Sequence, residues 1–348
     1  MNPEVPARHT DVDQPLVEKA RAGDHGAFAR LAEPYRGELH VHCYRMLGSI
    51  EDAEDAVQET YLRAWARLDS YAARAPFRAW LYGIATHACL DALRRKNARV
   101  WPTDLSEPAD PRSAPTPPVE LPWLQPYPDR LLEASAPPDA EPEAVVTSKE
   151  TIELAFLAAI QRLPARQRAV LILRDVLDWS AKDTAASLDM SPAAVNSALQ
   201  RAHATLSDHL SVGRGEWTSG SNATERALLK RLITAWERSD TTALVELLRT
   251  DARLVMPPGL SWLAGRDTIE IFLREHMFGE MGTGWLLLPT AANRQPAFGL
   301  YWRKPGDSAH RAFAIGVLRV DDDVIAEIAL FVQPELFTSF ALPAQRTP

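Results

Sequence analysis

Residues Phe77 to Lys96 read FRAWLYGIATHACLDALRRK, and the apolar residues Phe77, Trp80, Leu81, Ile84, Ala88 and Ala92 recur at spacings of three and four. That spacing predicts a helix with one buried face. Arg78, Tyr82, Arg94, Arg95 and Lys96 fall off that face, and the preceding loop DSYAARAP adds Tyr71 and Arg74. Two readings follow from the residue types. The helix is either a core element whose cationic end complements its own C-terminal dipole, or a surface for unpaired nucleic acid. Bases stack on aromatic faces while Arg and Lys meet phosphates.

Upstream, SIEDAEDAVQETYLRAWARL (49–68) opens with Ser49 as a helix cap and places Glu51, Asp52, Glu54 and Asp55 in the favourable first turn. Ala53, Ala56, Val57, Ala64 and Trp65 form its expected core face. Asp52, Asp55, Glu59 and Arg63 make an outward, mostly acidic stripe that reads either as a solvated surface or as a partner site. Downstream, RLPARQRAVLILRDVLDWSAKDTAASLDMSPAAVNSALQRAHATL (162–206) carries a helix-turn-helix pattern. Asp189 to Ser191 fit a tight turn, and Ser191 caps a second helix begun by Pro192. Val195, Leu199 and Ala202 are expected to face inward, leaving Ser191, Asn196, Ser197, Gln200, Arg201 and His203 toward a DNA groove.

The chain has 348 residues, too many for one ordinary core. No apolar run approaches the roughly 20 residues of a bilayer span, and the polar start MNPEVPARHTDVDQ lacks a signal-peptide core, so a cytoplasmic location without membrane contact is expected. Cys43 and Cys89 sit in apolar helical patterns and read as free buried thiols. Net charge is −8. Residues 102–148 carry 2 Lys+Arg against 9 Asp+Glu and hold twelve of the 27 prolines, so the acidity belongs to an extended linker rather than to the flanking modules.

Helical patterns dominate 14–100 and 149–212. Past the linker and these modules, 222–342 shows two helices, then β-like runs from ARLVMP to VIAEIALFVQ with a helix Arg266 to Phe278 among them. The expected architecture is two all-α modules joined by the Pro-rich linker at 101–148, plus a C-terminal α+β domain with a curved sheet. Met256, Trp262, Phe272, Trp285, Phe298, Tyr301, Phe313 and Phe331 line either a core or a small-molecule pocket.

Taken in order, DAEDAVQETYLRAW, FRAWLYGIATHACLDALRRK and the helix-turn-helix resemble the bacterial RNA polymerase sigma factors of the extracytoplasmic-function class, over about Leu16 to Leu210. The resemblance implies a transcription initiation factor that binds core polymerase and opens promoters. It implies that Asp52, Asp55, Gln58, Glu59, Leu62 and Arg63 meet the clamp helices of the largest polymerase subunit. Tyr71, Arg74, Phe77, Arg78, Trp80, Tyr82, His87, Arg94, Arg95 and Lys96 then read the minus-ten element, and the helix-turn-helix reads the minus-thirty-five element. The family's recognition helix often carries more Lys and Arg than PAAVNSALQRAH, where the resemblance implies basic residues at Asn196, Ala198 and His203. The acidic linker is expected to thread the polymerase cleft as a polyanion. Residues 223–340 resemble a SnoaL-like, ketosteroid-isomerase-like cone, and LPWLQPYPD resembles the sigma subfamily that carries one. No acid–base dyad is evident among Glu270, Glu275 and Asp321 to Asp323, and no cofactor or metal is implied. A regulatory tail is therefore expected; a fused cyclase, isomerase or hydrolase, and a DNA-binding regulator that never meets polymerase, are the competing readings.

Overall fold

The computed structural model describes residues 10–72, 75–95, 98–133, 151–210 and 222–347. The chain forms two compact units, one drawn from Met1–Ala98, Leu131–Thr151 and Ala159–Asp208, the other from Arg99–Arg130, Ile152–Ala158 and His209–Pro348. The sequence suggested three modules and a free linker. Instead, both helical modules share one unit, and the first part of the linker is built into the C-terminal one.

In the helical unit, α1 (Thr10–Arg21), α2 (His25–Ala32), α3 (Arg36–Leu47), α4 (Ile50–Ala66) and α5 (Phe77–Arg95) form the N-terminal bundle. The pattern over His25 to Leu47 predicts one helix, but a 3-10 turn at Glu33–Tyr35, with Pro34 inside it, divides that stretch in two. Gly48, at φ 67, ends α3 in the left-handed region that glycine adopts without a Cβ clash, and Ser49 immediately starts the next helix. The Ser49 hydroxyl accepts the Asp52 N–H at 3.3 Å, a cap that contributes about 1 kcal/mol. Leu81, Tyr82, Ile84, Ala85, Thr86, Ala88, Cys89 and Leu90 are all buried, so α5 is enclosed on more than the one face its spacing predicted. Cys43 and Cys89 are free and buried, as expected.

The C-terminal part of this unit comprises α8 (Ala165–Leu171), which runs on into a π-helical turn (Ile172–Val176), then α9 (Ala181–Ser187) and α10 (Pro192–Leu210). The boundary between the units falls within the two helices before them, α6 (Asp129–Glu133) and α7 (Leu154–Gln161).

The second unit holds α11 (Asn222–Glu237), α12 (Thr241–Glu246), β1 (Leu248–Val255), β2 (Trp262–Ala264) and α13 (Arg266–Phe272), the last continued by a π-helical stretch to Glu280. The strands β3 (Trp285–Ala292), β4 (Gln295–Trp302), β5 (His310–Asp321) and β6 (Val324–Phe331) follow, then α14 (Leu336–Ser339) and β7 (Gln345–Arg346). Among the described residues the sheet has seven strands in the order β2-β1-β6-β5-β4-β3, with β7 on β5. Only the β1–β6 pair is parallel. The Asp321 to Asp323 run is the expected turn, since Asp321 pairs with Val324 and Asp322 has φ 53.

Alternation along the strands gives this sheet two apolar faces. One carries Leu254, Phe298, Leu300, Leu318, Ile328 and Leu330, packed with Leu232 and Trp236 of α11 and Phe272 of α13. The register places Val255, Tyr301, Ile315, Val317, Ala329 and Phe331 on the other. The linker covers part of that second face, beside α14, whose Phe337 meets Tyr301 at 5.0 Å. Trp101 packs on Phe331 at 5.8 Å between ring centroids, and Trp123, Leu124 and Tyr127 are buried. The Trp262 indole donates to Ser106 O at 2.9 Å, and the Thr116 hydroxyl accepts from Leu260 N (2.8 Å) and Ser261 N (3.1 Å).

Asn293 fastens this cover. The β3–β4 turn needs two positive φ angles, which Asn293 (57) and Arg294 (58) supply, and asparagine is among the residues that tolerate this. Its buried side chain accepts the Tyr127 N–H at 2.7 Å and donates to Ile152 O at 2.8 Å. Asn293→Gly keeps the turn and deletes both bonds. The expected outcome is a loss of about 2 kcal/mol, read as a lower urea midpoint of the full chain.

Candidate functional site

On α4, Ala53, Ala56, Val57, Thr60 and Ala64 face the bundle. Trp65 is half-buried and stacks on His25 at 4.3 Å. Asp55, Gln58 and Leu62 point to solvent, Leu62 with 67% of its surface exposed. Asp52 and Glu59 are half-buried beside them. Arg63 is not a free cation: it bonds Glu59 at 2.6 Å and Asp91 of α5 at 2.8 Å. Burial opposes its charge, but the hydrogen bonds it donates to Asp91 and Glu59 outweigh that and hold its pKa above the usual arginine value. The same bond to Arg63 lowers the Asp91 carboxyl below its ordinary range.

On α5 the expected promoter-reading residues separate into groups. Tyr71, Phe77 and Tyr82 are buried, Phe77 with its ring 5.4 Å from both Tyr71 and Trp80. Tyr82 was expected off the core face; it packs instead against His42 (5.1 Å) and Trp179 (6.2 Å). His42 is neutral, because burial pulls its pKa to about 3. Its Nε2 meets the Thr86 hydroxyl at 2.9 Å, and that hydroxyl donates onward to Tyr82 O at 2.7 Å. Arg78 was expected to be available to phosphates, yet it forms a fork with Glu38 (2.7–2.9 Å) and lies 4.8 Å over the Tyr82 ring. Trp80 and His87 are half-buried, and Arg94 and Arg95 are exposed, Arg94 with Asp91 at 3.1 Å. Arg74 and Lys96 lie outside the described residues.

In the helix-turn-helix the Ser180 hydroxyl caps α9 through Asp183 N at 3.1 Å, and the Ser191 hydroxyl caps α10 through Ala194 N at 3.2 Å. Asp189, at φ 51, makes the turn. Ser191, Asn196, Ser197, Gln200, Arg201 and His203 are all exposed. Val195, Ala198, Ala202 and Leu206 are buried. Ala198 is therefore a core residue, not a vacant basic position, while Leu199 is only half-buried. His203 is spoken for by Asp175 at 2.5 Å.

Three residues to which the sequence reading gave no site role join the two helical modules. Arg168 is 1% exposed and places every guanidinium N–H: Nε on Ile160 O (2.9 Å), Nη1 on Met46 O (2.5 Å) and the Gln161 amide oxygen (2.7 Å), Nη2 on Gln161 O (2.7 Å) and Leu163 O (3.3 Å). Burial lowers its pKa to about 10. Gly83 lets α9 approach α5, since a Cβ there would stand 3.1 Å from the Ser187 hydroxyl. Trp179 covers Tyr82. A glycine in mid-helix and an arginine inside the apolar run RAVLIL were the available signals.

The residues expected to line one pocket in the C-terminal domain fall on both sides of its sheet. Met256, Phe272, Trp285 and Phe298 belong to the core beneath the helices, with Phe313 half-buried against it. Trp262 pairs with Val255, and Tyr301 and Phe331 share that opposite face. Tyr301 donates to Pro343 O at 3.0 Å. The sheet therefore separates them. The carboxylates considered for catalysis are engaged elsewhere: Glu270 lies near Arg274 (3.7 Å), Glu275 near Arg112 (3.9 Å), and Asp321 accepts from Arg249 (2.6 Å) and Arg319 (2.8 Å).

Residues 31–99 match the family Sigma-70 region 2, and residues 153–206 match Sigma-70, region 4. The ECF RNA polymerase sigma factor SigG of Mycobacterium tuberculosis is 39% identical over 319 residues, covering 91% of this chain and 84% of the relative. SigW of Bacillus subtilis is 28% identical over 194 residues, 56% of this chain and 94% of the relative. Among solved structures, the extracytoplasmic function sigma factor SigJ of Mycobacterium tuberculosis superposes with a TM-score of 0.58 at 23% identity, covering 89% of this chain and 97% of that one. This last likeness is one of fold.

Arg168→Met leaves four carbonyls and an amide oxygen without their donor. It is expected to cost about 3 kcal/mol in urea unfolding. Arg168→Lys restores only part of that, because an ammonium cannot span five acceptors.

Proposed function

The chain belongs to the extracytoplasmic-function (ECF) sigma factors of RNA polymerase, and from that membership we propose how its surfaces divide the work of initiation. It is a transcription initiation factor whose partners are core polymerase and promoter DNA.

The polymerase-facing surface is the outer side of α4, with Asp52, Asp55, Gln58, Glu59 and Leu62 making the contact and Arg63 setting the helix against α5. The observation that carries this reading is Leu62, a large apolar side chain left in solvent among carboxylates. Exposure there does nothing for the fold. An apolar anchor ringed by charge is the composition of a binding hot spot.

The minus-ten reader is the Trp80, Arg94 and Arg95 side of α5, extended by Arg74 and Lys96. Phe77, Tyr71 and Tyr82 support that surface from within. The minus-thirty-five reader is the exposed side of α10, where Asn196 and Gln200 can pair with adenine edges and Arg201 with guanine or phosphate.

The C-terminal domain regulates by holding the linker. Residues 99–130 close the second apolar face of its sheet, which supports a competition in which polymerase must draw the linker away before the two DNA-reading modules reach their promoter elements. The polyanion role of the linker then applies to the released chain. The carboxylates at 139, 141 and 143 lie outside the described residues.

Leu62→Asp is expected to weaken core polymerase binding at least tenfold in a pull-down titration, with an unchanged circular dichroism spectrum; unchanged binding would remove α4 from the interface. Trp101→Ala with Tyr127→Ala is expected to speed proteolysis within residues 99–130 and to raise transcription at limiting core polymerase. Faster cleavage with no change in transcription would rule out regulation through the linker.

A further inference from the structure

Within the helical unit, the start of α5 and the helix-turn-helix enclose a cleft of about 960 Å³, in the range of small-molecule sites, roughly 300–1,000 Å³. Tyr71 and Trp80 wall it on one side and Trp179 on the other. Close packing fixes the distance between the walls. Tyr82 meets Trp179, Gly83 lies under Ser187, and His87 Nε2 is 3.8 Å from Asp189.

The lining is unfinished chemically. The Ser187 hydroxyl is sealed from solvent without a partner among the described residues. The charge is unbalanced as well. Among the described residues, Arg63 is spent on Glu59 and Asp91, which leaves Arg67 facing Asp178, Asp183 and Asp189. An excess of carboxylates repels phosphate, so a nucleotide is a poor occupant. Aromatic faces beside carboxylates attract cations instead.

We propose that this cleft binds a small planar organic cation, its ring against Trp80 and Trp179 and its charge answered by Asp178, Asp183 and Asp189. Because the walls belong to α5 and to the helix-turn-helix, an occupant holds the two DNA-reading elements together and slows promoter opening. That consequence rests on the promoter-reading assignment above; the site itself does not.

Calorimetric titration of the full chain with N-methylquinolinium, and with quinoline-2-carboxylate as the planar anion, tests the site. The cation is expected to bind one to one and at least tenfold more tightly than the anion. Trp179→Ala is expected to weaken it at least fivefold. The double variant Asp178→Asn, Asp189→Asn does the same without disturbing the fold, since asparagine accepts the left-handed backbone at both positions (φ 52 and 51). Equal affinity for the anion, no binding, or binding unchanged in both variants overturns the proposal. In a promoter-opening assay the cation is expected to slow the unsubstituted protein at least fivefold and the double variant not at all. Binding without slowing overturns the coupling and leaves the site standing.

Discussion

Arg168 places a full positive charge in the interior of the helical unit with no carboxylate bonded to it. An isolated buried cation is costly, and here the cost is met by geometry. Three carbonyls from the α7–α8 turn, one side-chain amide and the Met46 carbonyl at the end of α3 take all five N–H groups. Four of those acceptors are local to the turn. The fifth comes from the other helical module, so the same residue that shapes the turn also fixes where the N-terminal bundle meets it. Arg45 adds to this junction through Thr151, and Gln161 donates back to Arg45 O. The arrangement needs every partner at once. Neutral acceptors, unlike carboxylates, offer no compensating charge if one of them moves.

A comparable demand shapes the second unit. A sheet with helices on one side and an apolar second face cannot stand uncovered in water, at roughly 25 cal/mol per Å² of exposed apolar surface. The linker meets that demand with Trp101, Trp123, Leu124 and Tyr127, while its prolines keep it extended and spare it backbone donors that would go unpaired. Its acidity then makes sense as the outward side of a bound strap. Leu105 and Leu121 remain exposed, but the aromatic residues are consumed by the sheet. The regulation proposed for this domain rests on a simple conflict, since one segment cannot both seal the sheet and span the distance between two separated DNA-reading modules.

The periodic elements were legible because their side chains obey local rules. Ser49, Ser191 and Gly48 mark boundaries by hydrogen-bonding capacity and φ preference, and the structure keeps them. Failures came where a residue answers to a distant partner. Tyr82 looked exposed by spacing, yet Trp179, nearly a hundred residues on, covers it. Arg78 looked free for phosphate, but Glu38 from another helix had claimed it. Ala198 looked like a missing lysine until the side of α10 that faces the core was known. The linker read only as an extended segment because it shows no helical or strand period; its aromatics are spaced to match a sheet surface, not a turn of their own. The strand β2, three residues long, carries no pattern to detect.

These displaced residues share one chemistry. Arg78 with Glu38 and Arg94 with Asp91 are cations beside the proposed DNA-reading surface matched to the chain's own carboxylates, and His203 meets Asp175 in the same way by a hydrogen bond. Exposed pairs of this kind contribute only about 0–1 kcal/mol each, so exchanging a carboxylate for a phosphate costs little once DNA is held nearby. The same pairing lowers the attraction of the unbound chain for DNA at large, because affinity for duplex rises with the number of uncommitted cations. Leu62 on α4 has no such internal substitute. On the assignment proposed above, Leu62 is uncommitted on the polymerase-facing side while Arg94 gives up Asp91 to reach a phosphate, an asymmetry that favours assembly on polymerase before commitment to DNA.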